Sequence, residues 1–383
     1  MLWAIAVHCH AQTAGGERRF TADATRQIAT YGELVHRNYV AAYEAAVDLQ
    51  TAVTRFVAEP NEVSLAAARA AWLASRPSYG QSEAFRFYGG PIDAGKQDDS
   101  LAPTGIEGLL NAWPLNEAFI DYVRGSPDAG LIADEAVPIT RAMLVRKNAR
   151  DDEADVTTGY HAIEFLLWGQ DLDADGPGQR KADDFVGDGR AARRRMYLTV
   201  VTDLLVDNLR TLVDAWAPGQ HNYRALTTGM SPATVVKNML TGIATLSGFE
   251  MASERLATAL DSGSQEDEQS CFSDSTDVDI LANAIGVANV YFGEYGDYHG
   301  AGLNELVAAA NPDLGRALEE RIRETVELAR GVDRPFDRTL ASPPGSAARA
   351  KVEALIKSLQ IQADLIKYAA SALGVPILIG DND

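Results

Sequence analysis

Apolar side chains spaced three and four apart over most of the chain constrain the fold more than any other feature. Between Tyr31 and Val57 they recur as Val35, Tyr39, Tyr43, Ala46, Val47, Val53, Phe56 and Val57, with Arg37, Glu44, Asp48 and Arg55 between them. This period predicts an amphipathic helix of several turns. The same pattern predicts helices over 62–75, 113–123, 191–216, 233–260, 277–291, 313–331 and 345–373, while period-two alternation is nowhere sustained, so no sheet is expected. The class is therefore all-α. Gly/Pro/Asp-rich stretches at 89–105, 125–130, 171–190 and 261–276 separate the helices, and helices of this length joined in this way suggest bundles.

At 383 residues, 46% of them hydrophobic, the chain can build more than one core. Pro218-Gly219 and Ser231-Pro232 bracket a polar segment near 220–232, which divides the chain into an N-terminal segment (1–27), an N-terminal helical bundle (28–225) and a C-terminal helical bundle (226–383). Ser231 and Pro232 read as N-cap and first residue of the helix that follows. A faint internal echo links Gly159-Tyr160-His161 and Glu164 with Gly248-Phe249-Glu250 and Glu254.

The formal charge of −20 repels phosphate backbones and anionic lipid, which excludes nucleic acid as a partner. No apolar run reaches the roughly 18 residues of a transmembrane segment. Leu2–Val7 is a short apolar run that reads as the remnant of a secretory signal. Cys9 and Cys271 are too few for a disulfide framework, and Cys271 reads as a packed thiol.

Two motif-like stretches carry little. Gly90–Lys96 fits G-x-x-x-x-G-K, but Gln97 stands where a magnesium-binding hydroxyl is required, and the stretch reads as a loop. Asp171-x-Asp173-x-Asp175-Gly176 is the first half of a calcium loop whose twelfth position is Ala182. It reads as a solvated acidic loop, with weak calcium binding through Asp183 or Asp184 as the alternative.

The sharpest constellation is Gly159-Tyr160-His161-Ala162-Ile163-Glu164. His161 and Glu164, three apart, share one face of a helix within reach of a common cation, and the apolar residues around them bury that helix. A buried Glu needs a cation or donors. Glu83, Arg86, Glu250 and Glu254 are candidate partners, Glu83 and Arg86 also fitting an intrahelical ion pair. With six histidines in all, an oxygen-rich ligand set suited to iron or manganese is better supplied than a His-rich zinc site, although H-x-x-E with a distant His221 or His299 leaves a zinc site open.

At this motif the sequence resembles the imelysin-like family through its G-x-H-x-x-E signature, with Gly159, His161 and Glu164 matching residue for residue. Segments 79–87, 111–117, 168–171 and 265–274 look like those of its iron-regulated subgroup, except that Gln269 stands where a His is expected. The resemblance implies two helical-bundle halves related by a pseudo-repeat, with the motif helix facing a functional cleft between them. It implies an exported bacterial protein, periplasmic or on the cell surface, produced under iron limitation and partnered by a metal ion or metal chelate and by membrane iron-uptake components. The expected metal residues are His161, Glu164, Glu83 and Glu250, with Ser82, Arg86, Tyr160, Trp168 and Glu254 as further cleft residues. Iron is the expected metal, with zinc or calcium as alternatives, and haem has no special support. The competing reading is a zinc metallopeptidase using His161 and Glu164.

Overall fold

The structure, a computed structural model, describes residues 19–93, 105–173 and 176–380. Helix α1, Thr25–Ala58, buries Tyr31, Leu34, Val35, Tyr39, Ala42, Ala46, Leu49, Val53 and Phe56, the stripe expected of a 3.6-residue period. Helix α2, Glu62–Ser82, starts at a reciprocal capping box in which Asn61 accepts from the Ser64 N–H and Ser64 Oγ accepts from the Asn61 N–H. Helix α3, Gly159–Trp168, carries the motif, and α4 spans Arg190–Trp216.

Helix α5, residues 232–262, is continuous but changes register. It runs as an α-helix over Pro232–Thr245, as a π-helix over Leu246–Ala257 and as an α-helix again over Thr258–Ser262. Its start follows the expectation: Ser231 Oγ accepts from the Thr234 N–H, and Pro232 occupies the first turn. Helices α6, Thr276–Phe292, α7, Pro312–Arg330, and α8, Ala347–Leu373, complete the set.

Helix α1 packs on α2 and α4, while α3 packs on α2 and α4. On the C-terminal side α8 packs on α7 and on the π-helical stretch of α5, and α6 packs on α7. The two sides meet where α6 lies against α2, and one apolar cluster runs through both.

Two expectations change. The predicted helix over 113–123 is reduced to the turn Glu117–Ile120, because Trp113-Pro114 opens the stretch and Asp121 is drawn into bonds with Arg180 and Arg194. A two-residue antiparallel hairpin, Glu294–Tyr295 with Tyr298–His299, occurs in a chain expected to lack strands. At the two glycines of the internal echo the backbone differs: Gly159 opens α3 with φ +83°, whereas Gly248 sits within the π-helix without a positive φ. Among the described residues no helix is long and apolar enough to cross a membrane. The apolar run Leu2–Val7 and Cys9 lie outside the described residues, as do Ala94–Gln97 of the G-x-x-x-x-G-K stretch. What precedes them in that stretch is closed on itself: the Asp93 carboxylate accepts from the backbone N–H groups of Phe87, Tyr88, Gly89 and Gly90.

Candidate functional site

The motif helix is fixed at its start by polar contacts. Asn148 Oδ1 accepts from the N–H groups of Thr157 and Thr158, at 2.9 and 3.1 Å, and from the Thr158 hydroxyl at 3.0 Å. The Tyr197 hydroxyl donates to the Thr157 carbonyl, and the Trp72 indole N–H donates to that of Tyr160. Gly159 supplies the left-handed residue that turns the chain into the helix, and its Cα lies so close to the Leu110 carbonyl that a Cβ would sit 2.5 Å from its oxygen.

All ten residues of α3 are buried, so the shared face of His161 and Glu164 points into protein. His161 Nδ1 and Glu164 Oε2 are 2.9 Å apart. The other Glu164 oxygen accepts from the Ser273 N–H at 2.9 Å and its hydroxyl at 2.6 Å, and Ser273 Oγ lies 2.8 Å from Ser275 Oγ. Burial, only partly offset by the Ser273 donors, pushes the Glu164 carboxyl up to about 8. Burial, with Arg76 and Arg255 nearby, holds the His161 imidazole well below its ordinary range, so it is neutral at pH 7. Its Nε2 is buried and has no hydrogen-bond partner among the described residues.

Behind the motif lies a buried chain of ions. Arg76 donates to Asp279 at 3.0 Å and to Asn111 at 2.7 Å, and stands over the Tyr160 ring. Asn111 donates to Glu83, whose second oxygen accepts from Arg255. Arg255 also donates to Asn283 and to Glu250. Burial opposes ionisation of Glu83, but the guanidinium groups of Arg255 and Arg86 prevail and hold its carboxyl below the usual range. Arg86 pairs with Glu107 at 3.2 Å, and burial pushes Glu107 up.

This network forms one wall of a cavity of about 550 Å³ whose lining includes Arg86, Glu107, Trp113, Glu250, Glu254 and Arg255. Gln269 lines it too. The π-helical stretch supplies Glu250, Glu254 and Arg255, in keeping with the frequent use of π register at functional sites. Trp113 connects cavity and motif, for its ring meets that of His161 at 4.9 Å between centroids and 60° between planes.

The expected metal residues are thus distributed differently from a common ligand set. Glu164 and His161 are turned on each other rather than on a shared cation. Glu83 and Glu250 are joined through Arg255, which also outcompetes the expected Glu83 to Arg86 pair, itself 3.9 Å long. Among the described residues these four do not converge. Among the described residues, the one group of three or more acidic, His or Cys side chains with ligand atoms within 4.8 Å of one another is Asp171, Asp274 and Asp337. Asp183 and Asp184, expected as alternatives to complete the Asp171 loop, belong instead to the turn Ala182–Phe185, where Asp184 accepts from Tyr122.

Of the further cleft residues, Arg86 and Glu254 line the cavity. Ser82 is buried and donates to the Tyr79 carbonyl, Tyr160 packs on Trp72 and Tyr79, and Trp168 packs on Trp72. These three are core residues and do not line it. His221 and His299 are exposed, far from the buried His161 in environment as in sequence. Cys271 is a buried free thiol, as expected. Sequence reasoning missed Asn111, Trp113, Arg255, Ser273 and Asp279. Asn111-Ala112-Trp113 and the 265–274 segment carry the family resemblance, which marks them, but only the fold shows that Ser273 completes Glu164.

The model of the imelysin family matches residues 35–366. A curated relative, iron-regulated protein A of Synechococcus elongatus, is 24% identical over 326 residues, 82% of this chain and 78% of its own. Two crystal structures share the fold. A candidate iron-regulated protein A precursor from Parabacteroides distasonis superposes with a TM-score of 0.68 at 19% identity, covering 92% of this chain and 96% of its own. An imelysin-like protein from Psychrobacter arcticum gives 0.63 at 15% identity, covering 94% and 99%.

Proposed function

This chain belongs to the imelysin family, and from that membership and the surroundings of His161 we propose that it is an exported, iron-regulated, non-enzymatic protein of bacterial iron acquisition that binds iron as a chelate. The observation that carries this reading is the buried, neutral His161, whose Nε2 lacks a partner among the described residues while Nδ1 is tied to Glu164, next to the Trp113 wall of the cavity. Without iron, Glu164 keeps its own proton at pH 7; iron at Nε2 would displace one proton of the pair and leave the other on Nδ1 facing an ionised Glu164, the way proteins orient a histidine whose other nitrogen ligates a metal. Glu164, held in turn by Ser273, then acts as a positioning residue rather than a ligand.

A chelate suits the cavity better than a bare ion. Its carboxylates, Glu107, Glu153, Glu250, Glu254 and Asp267, favour a cation, yet among the described residues no three ligand atoms from its acidic side chains lie within 4.8 Å of one another. An iron ion carrying part of its own oxygen shell needs only a site or two from the protein, and Arg86, whose Nε has no hydrogen-bond partner among the described residues, offers a charged donor to the chelator's carboxylate oxygens. Export to the periplasm or cell surface, and delivery to or from a membrane uptake component, belong to the same proposal.

The zinc-peptidase alternative would need His161 and Glu164 on one ion with an open position for water. With both Glu164 oxygens engaged, the geometry favours the binder. The test is titration of the chelator-stripped full chain with iron(III) citrate, iron(II) and zinc(II), followed calorimetrically and by elemental analysis after dialysis. Stoichiometric iron retention that is lost in His161→Ala is expected. Zinc-selective binding accompanied by zinc-dependent hydrolysis of an unfolded polypeptide would overturn the proposal in favour of the peptidase.

A further inference from the structure

The carboxylates of Asp171, Asp274 and Asp337 come from three separate parts of the chain: the loop after α3, the loop before α6, and the short helix Phe336–Ala341. Their oxygens lie within 4.8 Å of one another. Among the described residues none of the three forms an ion pair with a lysine or arginine. The Gln265 side-chain amide donates to Asp171 Oδ2 at 2.8 Å and also to Asp337 Oδ2. One neutral amide cannot balance three carboxylates.

A second observation points to a missing ligand. Glu268 is 1% exposed and faces Asp337 and Asp274, yet neither of its oxygens makes a hydrogen bond of normal geometry. Asp337, also 1% exposed, has an unpartnered Oδ1, and so does Asp274. Buried carboxylates without donors are costly unless they stay protonated or meet a cation.

We propose that Asp171, Asp274 and Asp337, backed by Glu268, form a calcium site. The donor set is all oxygen, which suits a hard cation and leaves zinc or copper without nitrogen or sulfur ligands. Calcium accepts six to eight oxygens in irregular geometry, whereas magnesium demands a near-ideal octahedron. Rotation of the Gln265 amide by half a turn replaces its NH2 with Oε1 and adds a further oxygen. Asp171 and Asp274 are half-buried, which leaves the ion a path from solvent. An ion here would tie the end of the motif helix to the loop holding Ser273 and to the C-terminal side of the molecule. The site is separate from the His161 cavity, and it stands or falls independently of the iron reading.

The test compares the chelator-stripped full chain with Asp274→Asn and Asp337→Asn, titrated with calcium, magnesium and zinc chlorides and followed by calorimetry and thermal unfolding. Asp274 has a left-handed backbone, φ 55°, which asparagine also tolerates, so that variant is expected to fold. Calcium should raise the unfolding temperature of the wild type and bind about tenfold or more tightly than magnesium. Each variant should weaken calcium binding at least about tenfold, while melting without calcium at or above the wild-type temperature because repulsion among the acids is relieved. No calcium-dependent shift in the wild type would overturn the site. So would a shift of equal size in both variants, or an equal response to magnesium, or a preference for zinc.

Discussion

Replacing Gly159 by alanine tests whether the motif helix is held in place by its first residue. Two costs arise. A non-glycine residue at φ +83° loses about 1–2 kcal/mol. The new Cβ would also lie 2.5 Å from the Leu110 oxygen and 2.6 Å from its carbonyl carbon. Both are backbone atoms, so no side-chain rotation relieves the contact. Leu110 precedes Asn111, which ties Arg76 to Glu83, and a shift there strains the ionic network as well. Forced overpacking of this kind costs roughly 1–3 kcal/mol, for a total of about 2–5 kcal/mol. Gly345→Ala is the control, for Gly345 has φ +79° and nothing within 4 Å of its would-be Cβ, so it should lose only the backbone part, about 1–2 kcal/mol. Urea unfolding followed by circular dichroism measures both. Equal losses in the two variants would refute the close-approach argument.

Three further outcomes follow from the same geometry. Glu164 has a folded value of about 8 against an ordinary 4.5; below about pH 4.5 both states are protonated, and between there and about pH 8 only the unfolded chain ionises. Stability should therefore fall as pH rises through that window, by on the order of 5 kcal/mol, and Glu164→Gln should flatten this part of the profile in thermal unfolding from pH 4 to 9; an unchanged profile would contradict the assignment. Arg255→Met leaves Glu83 buried without its principal cation and should destabilise by about 3–5 kcal/mol, with Glu83→Gln added in the double variant restoring much of the loss; additive losses would show that the two do not act as a pair. Asp93→Ala removes the acceptor for four backbone N–H groups and should cost about 1–3 kcal/mol in urea unfolding, while a loss near zero would mean that water replaces the carboxylate.

The helices were readable because their apolar stripes repeat over many turns: α4, α6, α7 and α8 begin and end close to the periodic segments, α1 ends with its segment but starts earlier, at Thr25, and Ser231-Pro232 marks the start of α5. The 113–123 segment was not, since its apolar residues fit the period while Trp113-Pro114 and the bonds of Asp121 turn the chain elsewhere. The π register of α5 is invisible to periodicity, although it places Glu250, Glu254 and Arg255 in the cavity wall. At the site, the spacing of His161 and Glu164 correctly put both on one buried face. It could not show that the carboxylate is consumed by Ser273, 109 residues away, or that Arg255 would claim both Glu83 and Glu250. Likewise Asp171 stood out as the first residue of a half-formed calcium loop, but its neighbours Asp274 and Asp337 are brought to it by tertiary structure alone.

The central claim is that the free nitrogen of His161 meets iron. Iron K-edge X-ray absorption on protein loaded with iron(III) citrate and freed of excess by dialysis tests it directly. The account predicts an imidazole nitrogen in the iron shell of the wild type and its absence in His161→Ala. An all-oxygen shell identical in the two proteins, or no iron retained by the wild type, would contradict it.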